Sequence, residues 1–134
     1  MSNPKKVLFV DNDDAARLLA VSINLDYSNI ANITITADLE DAKNILNYEF
    51  GIDYFDFFII DLQINFKYDG WNFAKSLVKD MPCLEEKIIM YSAQMESIID
   101  EMRKNYPKMK YINKRIDEKP LTKALRIFTG DDTF

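Results

Sequence analysis

Asp53-Tyr54-Phe55-Asp56-Phe57-Phe58-Ile59-Ile60-Asp61 is the stretch whose reading decides the fold. Phe57 to Ile60 form an apolar run of strand length, too short and too rich in β-formers for a helix. Such a run suits a strand buried on both faces, as in a parallel sheet covered by helices. It ends abruptly in a carboxylate, Asp61. In open α/β sheets ligands and chemistry gather at the carboxyl ends of the strands. Asp61 is therefore a site candidate if other strand ends bring it partners, and a simple loop cap if they do not.

The chain around it has 134 residues, 48% hydrophobic and 29% charged, which fits one soluble globular domain. A net charge of −5 and a pI near 4.7 argue against a nucleic-acid surface, because a phosphate backbone repels such a field. Cys83 is the single cysteine, so no disulfide framework and no cysteine metal cluster exists. It reads as a small apolar filler in a reducing compartment. The start, Met-Ser-Asn-Pro-Lys-Lys, runs straight into a strand without the apolar core of a signal peptide. No stretch approaches the roughly 18 apolar residues of a membrane span. A cytoplasmic protein is expected. Histidine is absent, which removes histidine catalysis, ligation and phosphohistidine chemistry. Three glycines are too few for a glycine-rich phosphate cradle. Carboxylates, hydroxyls, lysine and a metal remain.

Val7 to Val10 is a second apolar run, and it too ends in acid: Asp11-Asn12-Asp13-Asp14. Asp13 or Asp14 suits the N-cap of a first helix, with Ala15, Leu18, Leu19 and Ile23 as its apolar stripe. Residues 31 to 37 alternate, Ile33, Ile35 and Ala37 against Asn32, Thr34 and Thr36, as a half-exposed edge strand does. A second helix starts at Asp38, carries Leu39, Ala42, Ile45, Leu46 and Phe50, and stops at Gly51. After the Phe57 to Ile60 strand and a polar loop, a third helix starts near Gly70-Trp71, buries Phe73, Ala74, Leu77 and Val78, and is barred by Pro82. Residues 87 to 91 form a fourth strand ending at Ser92-Ala93. A fourth helix uses Met95, Ile98, Ile99, Met102 and Tyr106. Residues 109 to 113 form a fifth strand ending at Lys114. A fifth helix starts around Lys119-Pro120 with Leu121, Leu125 and Phe128 on one face. Five βα units call for an α/β fold with a parallel sheet, helices on both faces and right-handed crossovers.

The strand ends then converge on one rim: Asp11-Asn12, Asp61, Ser92 and Lys114. Polar residues begin loops anyway, but each of these suits a task in phosphoryl transfer. A carboxylate can be the nucleophile. Neighbouring acids gather Mg²⁺, a hard cation that takes oxygen ligands. A hydroxyl and an ammonium can hold phosphoryl oxygens.

Val10 to Arg17 (Val-Asp-Asn-Asp-Asp-x-x-Arg), Ile59 to Leu62 (Ile-Ile-Asp-Leu), Asp69-Gly70, Tyr91 to Ala93 (Tyr-Ser-Ala) and Tyr111 to Lys114 (Tyr-Ile-Asn-Lys) together resemble the response-regulator receiver domains, the CheY-like phosphoacceptors of two-component signalling. The resemblance covers essentially the whole chain, 1 to 134, as one domain with its core from about residue 5 to 129. It implies a flavodoxin-like (βα)5 three-layer sandwich with strand order 2-1-3-4-5. It also implies that Asp61 is phosphorylated, and that Asp11, the residue at 12, Asp61 and the backbone carbonyl of Gln63 hold Mg²⁺. Ser92 and Lys114 would hold the phosphoryl group, and Ser92 and Tyr111 would act as the switch. Output would run through the fourth helix, fifth strand and fifth helix, biased by one added dianion. The implied partners are a sensor histidine kinase or phosphotransfer protein and a downstream protein, with no nucleic acid and no membrane. Such a protein is a phosphoacceptor rather than an enzyme.

Three departures from the family pattern carry expectations. Asn12 stands where a second acid is usual, which predicts weaker Mg²⁺ binding and slower phosphorylation. Ile64-Asn65 replaces Met-Pro, and the loop to Asp69-Gly70 is one residue longer. Arg115 follows Lys114 where a cis proline is usual. A non-proline cis bond costs roughly 3–4 kcal/mol, so a trans Lys114–Arg115 bond is expected, with an altered loop into the fifth helix. A phosphorylatable stand-alone receiver is the leading reading. A pseudo-receiver that binds partners without phosphorylation is the second. A haloacid-dehalogenase-type phosphatase with Asp11 as nucleophile, Asp13 as acid/base and Asp131-Asp132 as closing acids is the third.

Overall fold

The computed structural model describes residues 3–115 and 119–130. The acidic tail from Asp131 and the loop leading into the fifth helix lie outside the described residues. Five strands, β1 (Lys5–Val10), β2 (Ala31–Thr36), β3 (Phe57–Ile60), β4 (Ile88–Ser92) and β5 (Lys110–Asn113), form one sheet in the order β2-β1-β3-β4-β5. All four pairings are parallel. Five helices connect and cover them: α1 (Asp14–Asp26), α2 (Leu39–Asn44), α3 (Asp69–Asp80), α4 (Ile99–Asn105) and α5 (Pro120–Thr129). This is the flavodoxin-like order expected from the sequence. No helix among the described residues is long and apolar enough to cross a membrane.

The period-two geometry of a strand sends alternate side chains to opposite faces, so each apolar run supplies two cores. Leu8, Val10, Phe58, Ile60, Ile88 and Met90 pack with α2, α3 and α4. Val7, Phe9, Phe57, Ile59, Ile89 and Tyr91 pack with α1 and α5. That requirement explains why β1 and β3 read as continuous apolar runs rather than alternating ones.

Several elements differ from their sequence reading in a physically clear way. Asp13 is the N-cap of α1, its carboxylate accepting from the Ala15 N–H at 3.0 Å. With that start the face turned to the sheet is Ala16, Ala20 and Ile23, not Ala15, Leu18 and Leu19. The small alanines let the helix lie close to the sheet, and Leu18 is left 68% exposed. Thr36 falls on the same face of β2 as exposed Asn32 yet is buried, its hydroxyl donating to the Phe9 carbonyl at 3.3 Å. α2 starts at the Asp38 cap as expected but does not end on Gly51. It widens into a π-turn at Ile45–Glu49, closed by the Phe50 N–H on the Ile45 carbonyl at 2.7 Å. Phe50 is already extended and stacks on Tyr54 at 4.1 Å. Cys83 is exposed, not a core filler, because Leu84 takes the buried position of the 3₁₀ turn Pro82–Lys87. Met95 and Ile98 are buried but precede α4, which follows a 3₁₀ turn at Met95–Ser97.

Candidate functional site

Backbone ladders position the strand-end residues before any side chain acts. The Asp11 N–H donates to the Thr36 carbonyl (3.1 Å), the Asp61 N–H to Val10 (3.0 Å) and the Lys114 N–H to Ser92 (2.9 Å). Each bond extends a strand pairing by one residue, so the first polar side chain of each loop starts from the edge of a rigid sheet. Lys114 then spans the rim. Its ammonium donates to Asp11 Oδ2 at 2.7 Å and to Asp61 Oδ2 at 3.1 Å. Asp11 is fully buried and Asp61 is 7% exposed. These three residues, far apart in sequence, form the centre of the site.

Two carboxylates sharing one ammonium leave a net negative charge in a poorly solvated place. Burial raises the Asp61 pKa, Lys114 opposes that and Asp11 adds to it, with the result pushed up to about 6. Burial disfavours the Lys114 ammonium, but its bonds and charge pairing with Asp11 and Asp61 outweigh that and hold its pKa above the usual lysine value. The Tyr91 hydroxyl is pushed up by burial and by the charges of Asp11, Asp13 and Asp61. The face of the Tyr91 ring lies 4.6 Å from the Lys114 ammonium, and its edge geometry against Phe9 fixes it. Tyr91 is thus a positioning residue for Lys114.

The loop after Asp61 is held by a side chain rather than by secondary structure. Asp69 accepts from three successive backbone N–H groups, Ile64 (2.7 Å), Asn65 (3.0 Å) and Phe66 (3.0 Å). Burial works against the Asp69 charge, yet these bonds and one from Gly70 lower its pKa overall. The longer loop is accommodated at Tyr68, whose φ of 62° lies in the left-handed region. Gly70 is required for a different reason: a Cβ there would lie 1.7 Å from the Asp61 carbonyl oxygen. The Asn12 amide nitrogen donates to the Ile64 carbonyl, tying the β1 end to the same loop. The Gln63 N–H approaches Asp61 Oδ1 at 3.4 Å.

Of the residues singled out from sequence, Asp11, Asp61 and Lys114 are in direct contact. Ser92 stands at the end of β4, buried, and its hydroxyl accepts from the Gln94 N–H at 3.2 Å. Tyr111 lies on β5 opposite Met90 and is 39% exposed. Asp13 caps α1. No peptide bond among the described residues is cis, so Lys114–Arg115 is trans as expected. Sequence reasoning gave Tyr91, Asp69 and Gly70 no more than a place in a motif. Tyr91 looked like one more apolar strand residue. The Asp69 clamp carries no sequence signal, because its partners are backbone amides that almost any residue supplies.

The oxygen donors suit a hard cation only sparsely. Among the described residues no group of three or more His, Cys, Asp or Glu is placed to hold a metal ion. Asp11 and Asp61 supply two carboxylates, and Mg²⁺ is commonly held by one or two carboxylates together with water and substrate phosphate. Two carboxylates would meet the protein's share of an Mg²⁺ site, with Asn12 limited to what its amide oxygen can offer because its nitrogen serves Ile64.

No family model and no curated protein matches the chain. Solved structures do. The chemotaxis protein CheY4 of Vibrio cholerae is 20% identical, with 93% of this chain and 98% of that one aligned at a TM-score of 0.65. A two-component response regulator from Cytophaga hutchinsonii is 16% identical, covering 97% and 100% at a TM-score of 0.69. The phosphorylated cyanobacterial phytochrome response regulator RcpA is 20% identical, covering 95% and 90% at a TM-score of 0.63. At these identities the likeness is one of fold, and the fold is that of receiver domains.

Proposed function

We propose that this chain, built on the receiver fold, accepts a phosphoryl group on Asp61 and signals through the resulting change in charge. The observation that carries the reading is the Lys114 ammonium bridging Asp11 and Asp61 at the carboxyl end of a parallel sheet. An Asp61 carboxylate oxygen attacks the phosphorus of a phosphoryl donor. The new P–O bond forms as the bond to the donor's leaving group breaks, and the leaving group departs with that electron pair. Lys114 is already in place for the charge on the phosphoryl oxygens. The Ser92 hydroxyl, on the neighbouring strand end, is the second group proposed to bind them. Asp11, Asp61, the Gln63 carbonyl and the Asn12 amide oxygen are the proposed Mg²⁺ ligands, and Mg²⁺ would neutralise charge as phosphate arrives.

The donor in this reading is a cytoplasmic histidine kinase or phosphotransfer protein, and the receiver of the signal is another protein. Ser92 and Tyr111 are the proposed switch, acting on the face of α4, β5 and α5. A pseudo-receiver remains the second reading because Asn12 spends its amide nitrogen on Ile64, leaving two carboxylates at the rim. A phosphatase needs Asp13 as acid/base, whereas its carboxylate caps α1.

The test uses the full chain with Mg²⁺ and acetyl phosphate, followed by intact mass and peptide mapping. The expected result is a gain of one phosphoryl group on Asp61, lost in Asp61→Asn and strongly slowed in Lys114→Ala. No adduct at high donor concentration supports the pseudo-receiver. Turnover of phosphate monoesters that depends on Asp11 supports the phosphatase.

A further inference from the structure

A cavity among the described residues lies at the sheet edge, beside the acid rim. It is a groove of about 840 Å³ beyond the edge strand β2, within the ~300–1,000 Å³ usual for ligand clefts. Leu18 and Val21 of α1 form one wall, and Ile45 with the π-turn after α2 forms the other. The floor is the end of β2 at Ile35, Thr36 and Ala37. Leu18 and Val21 are exposed, 68% and 45%, and with Leu25 (78%) they make a second apolar face on α1, one that touches no core. A π-turn at the wall is also unusual, since such turns are rare and cluster at functional sites.

The backbone of β2 indicates what the groove takes. In a parallel pair, alternate residues direct both backbone polar groups to the same neighbour. Ile30 and Thr36 serve β1, accepting from Lys5 and Asp11. The odd-numbered residues 31, 33 and 35 therefore point their N–H and C=O away from the sheet. The Ala31 N–H is met by the Tyr27 carbonyl at 3.1 Å. Both groups of Ile33 are met by the Asn24 side chain, each at 2.8 Å. Nothing comparable covers Ile35 among the described residues, and Ile35 opens into the groove. A helix cannot satisfy a strand edge, but an extended segment can.

Charge narrows the occupant further. Asp14 pairs with Arg17, while Asp41 and Glu49 on the opposite wall make no ion pair among the described residues. A second copy of this chain is a poor occupant, because it carries net charge −5 and the same acidic rim. We propose that the groove binds an extended, basic and apolar segment of a partner protein. The segment pairs with the β2 edge at Ile35, seats alternate apolar side chains on Leu18, Val21 and Ile45, and directs lysine or arginine to Asp41 and Glu49. The groove borders the acid rim, since Arg17 in its lining donates to the Asp11 carbonyl at 3.1 Å, but its lining does not include Asp61 or Lys114.

The test is an amide NMR titration of the ¹⁵N-labelled full chain with a short capped peptide alternating valine and lysine. Saturable shifts are expected at Val21, Ile35, Ala37 and Ile45, with slower hydrogen exchange at the Ile35 N–H. The Asp41→Lys, Glu49→Lys double variant should weaken binding about tenfold, as loss of facing charges does. Val21→Asp, at an exposed position that leaves the fold intact by circular dichroism, should weaken it similarly. A peptide with glutamate in place of lysine should not bind. The proposal is overturned by absence of saturable shifts, by unchanged Ile35 exchange on binding, or by equal binding of the glutamate peptide. Self-association of the free chain that Val21→Asp abolishes would also overturn it, and would make the groove an interface between copies.

Discussion

Asp61 must be ionised to act as a nucleophile, and its surroundings resist that. A buried carboxyl with another carboxylate beside it favours the neutral form, and Lys114 only partly offsets this, giving a pKa of about 6 against ~3.9 for an unperturbed aspartate. Because the folded value lies above the unfolded one, the stabilising contribution of this group is fully present below about pH 4 and is lost as pH rises through about 6. Lys114, also raised, contributes up to the ordinary lysine range and loses that contribution only at still higher pH. In metal-free buffer, the Asp61 side-chain carboxyl followed by ¹³C NMR should therefore titrate near pH 6. Lys114→Ala should move the midpoint up, because it removes the cation that lowers it. Asp11→Asn should move it down, because it removes the carboxylate that raises it. A midpoint near the usual aspartate value, or shifts of the opposite sign, would show that Asp61 is not held in this buried acid pair.

Between β3 and α3, one loop sets where Asp61 sits, and a glycine limits it. Gly70, in the first turn of α3, lies against the Asp61 backbone, with the Trp71 N–H bonding the Leu62 carbonyl at 3.1 Å. Gly70→Ala would press a methyl group into the Asp61 carbonyl. Overpacking of this kind costs about 1–3 kcal/mol, and here backbone must move to relieve it. Chemical denaturation should show a loss of that size, with the proposed phosphorylation of Asp61 slowed beyond what the remaining folded fraction explains. A fully stable, fully active Gly70→Ala would show that the helix can back away freely. This loop also marks where the sequence stops being legible. Continuous apolar runs in β1 and β3 disclose a doubly covered sheet, and strand ends in acid, hydroxyl and lysine disclose the rim. Neither pattern discloses which side chain holds a loop: Asp69 does so through backbone amides, which have no sequence signature of their own. α1 fails for a related reason. Its thirteen residues offer two apolar faces, one through Ala16, Ala20 and Ile23 and one through Leu18, Val21 and Leu25. Hydrophobic spacing favours the bulkier face, whereas close packing on the sheet selects the alanines.

An open sheet has two edges, and the molecule treats them differently. On β5, Lys110 folds its ammonium over the Phe128 ring at 5.2 Å, placing charge along that edge. On β2 the Tyr27 carbonyl covers the Ala31 N–H, and a single side-chain amide covers the middle of the edge: Asn24 closes the Ile33 N–H and C=O as a neighbouring strand would. Residues 31 to 36, Ala-Asn-Ile-Thr-Ile-Thr, carry no charge, and four of the six are β-branched, a composition prone to pairing between chains. Net charge supplies the remaining protection, and it vanishes near the pI of about 4.7. Asn24→Ala should leave the fold intact, because the freed groups of Ile33 turn to water, so the stability loss should be about 1–3 kcal/mol, that of two net hydrogen bonds. Its consequence should instead be intermolecular. Sedimentation should find Asn24→Ala monomeric at pH 8, where repulsion holds copies apart, and self-associating as the pH approaches the pI, while the unsubstituted chain stays monomeric over more of that range. Asn24→Asp should associate less than Asn24→Ala, since it replaces the lost cover with charge. If Asn24→Ala and the unsubstituted chain associate alike at every pH, the β2 edge is kept single by charge alone and the amide cover is incidental.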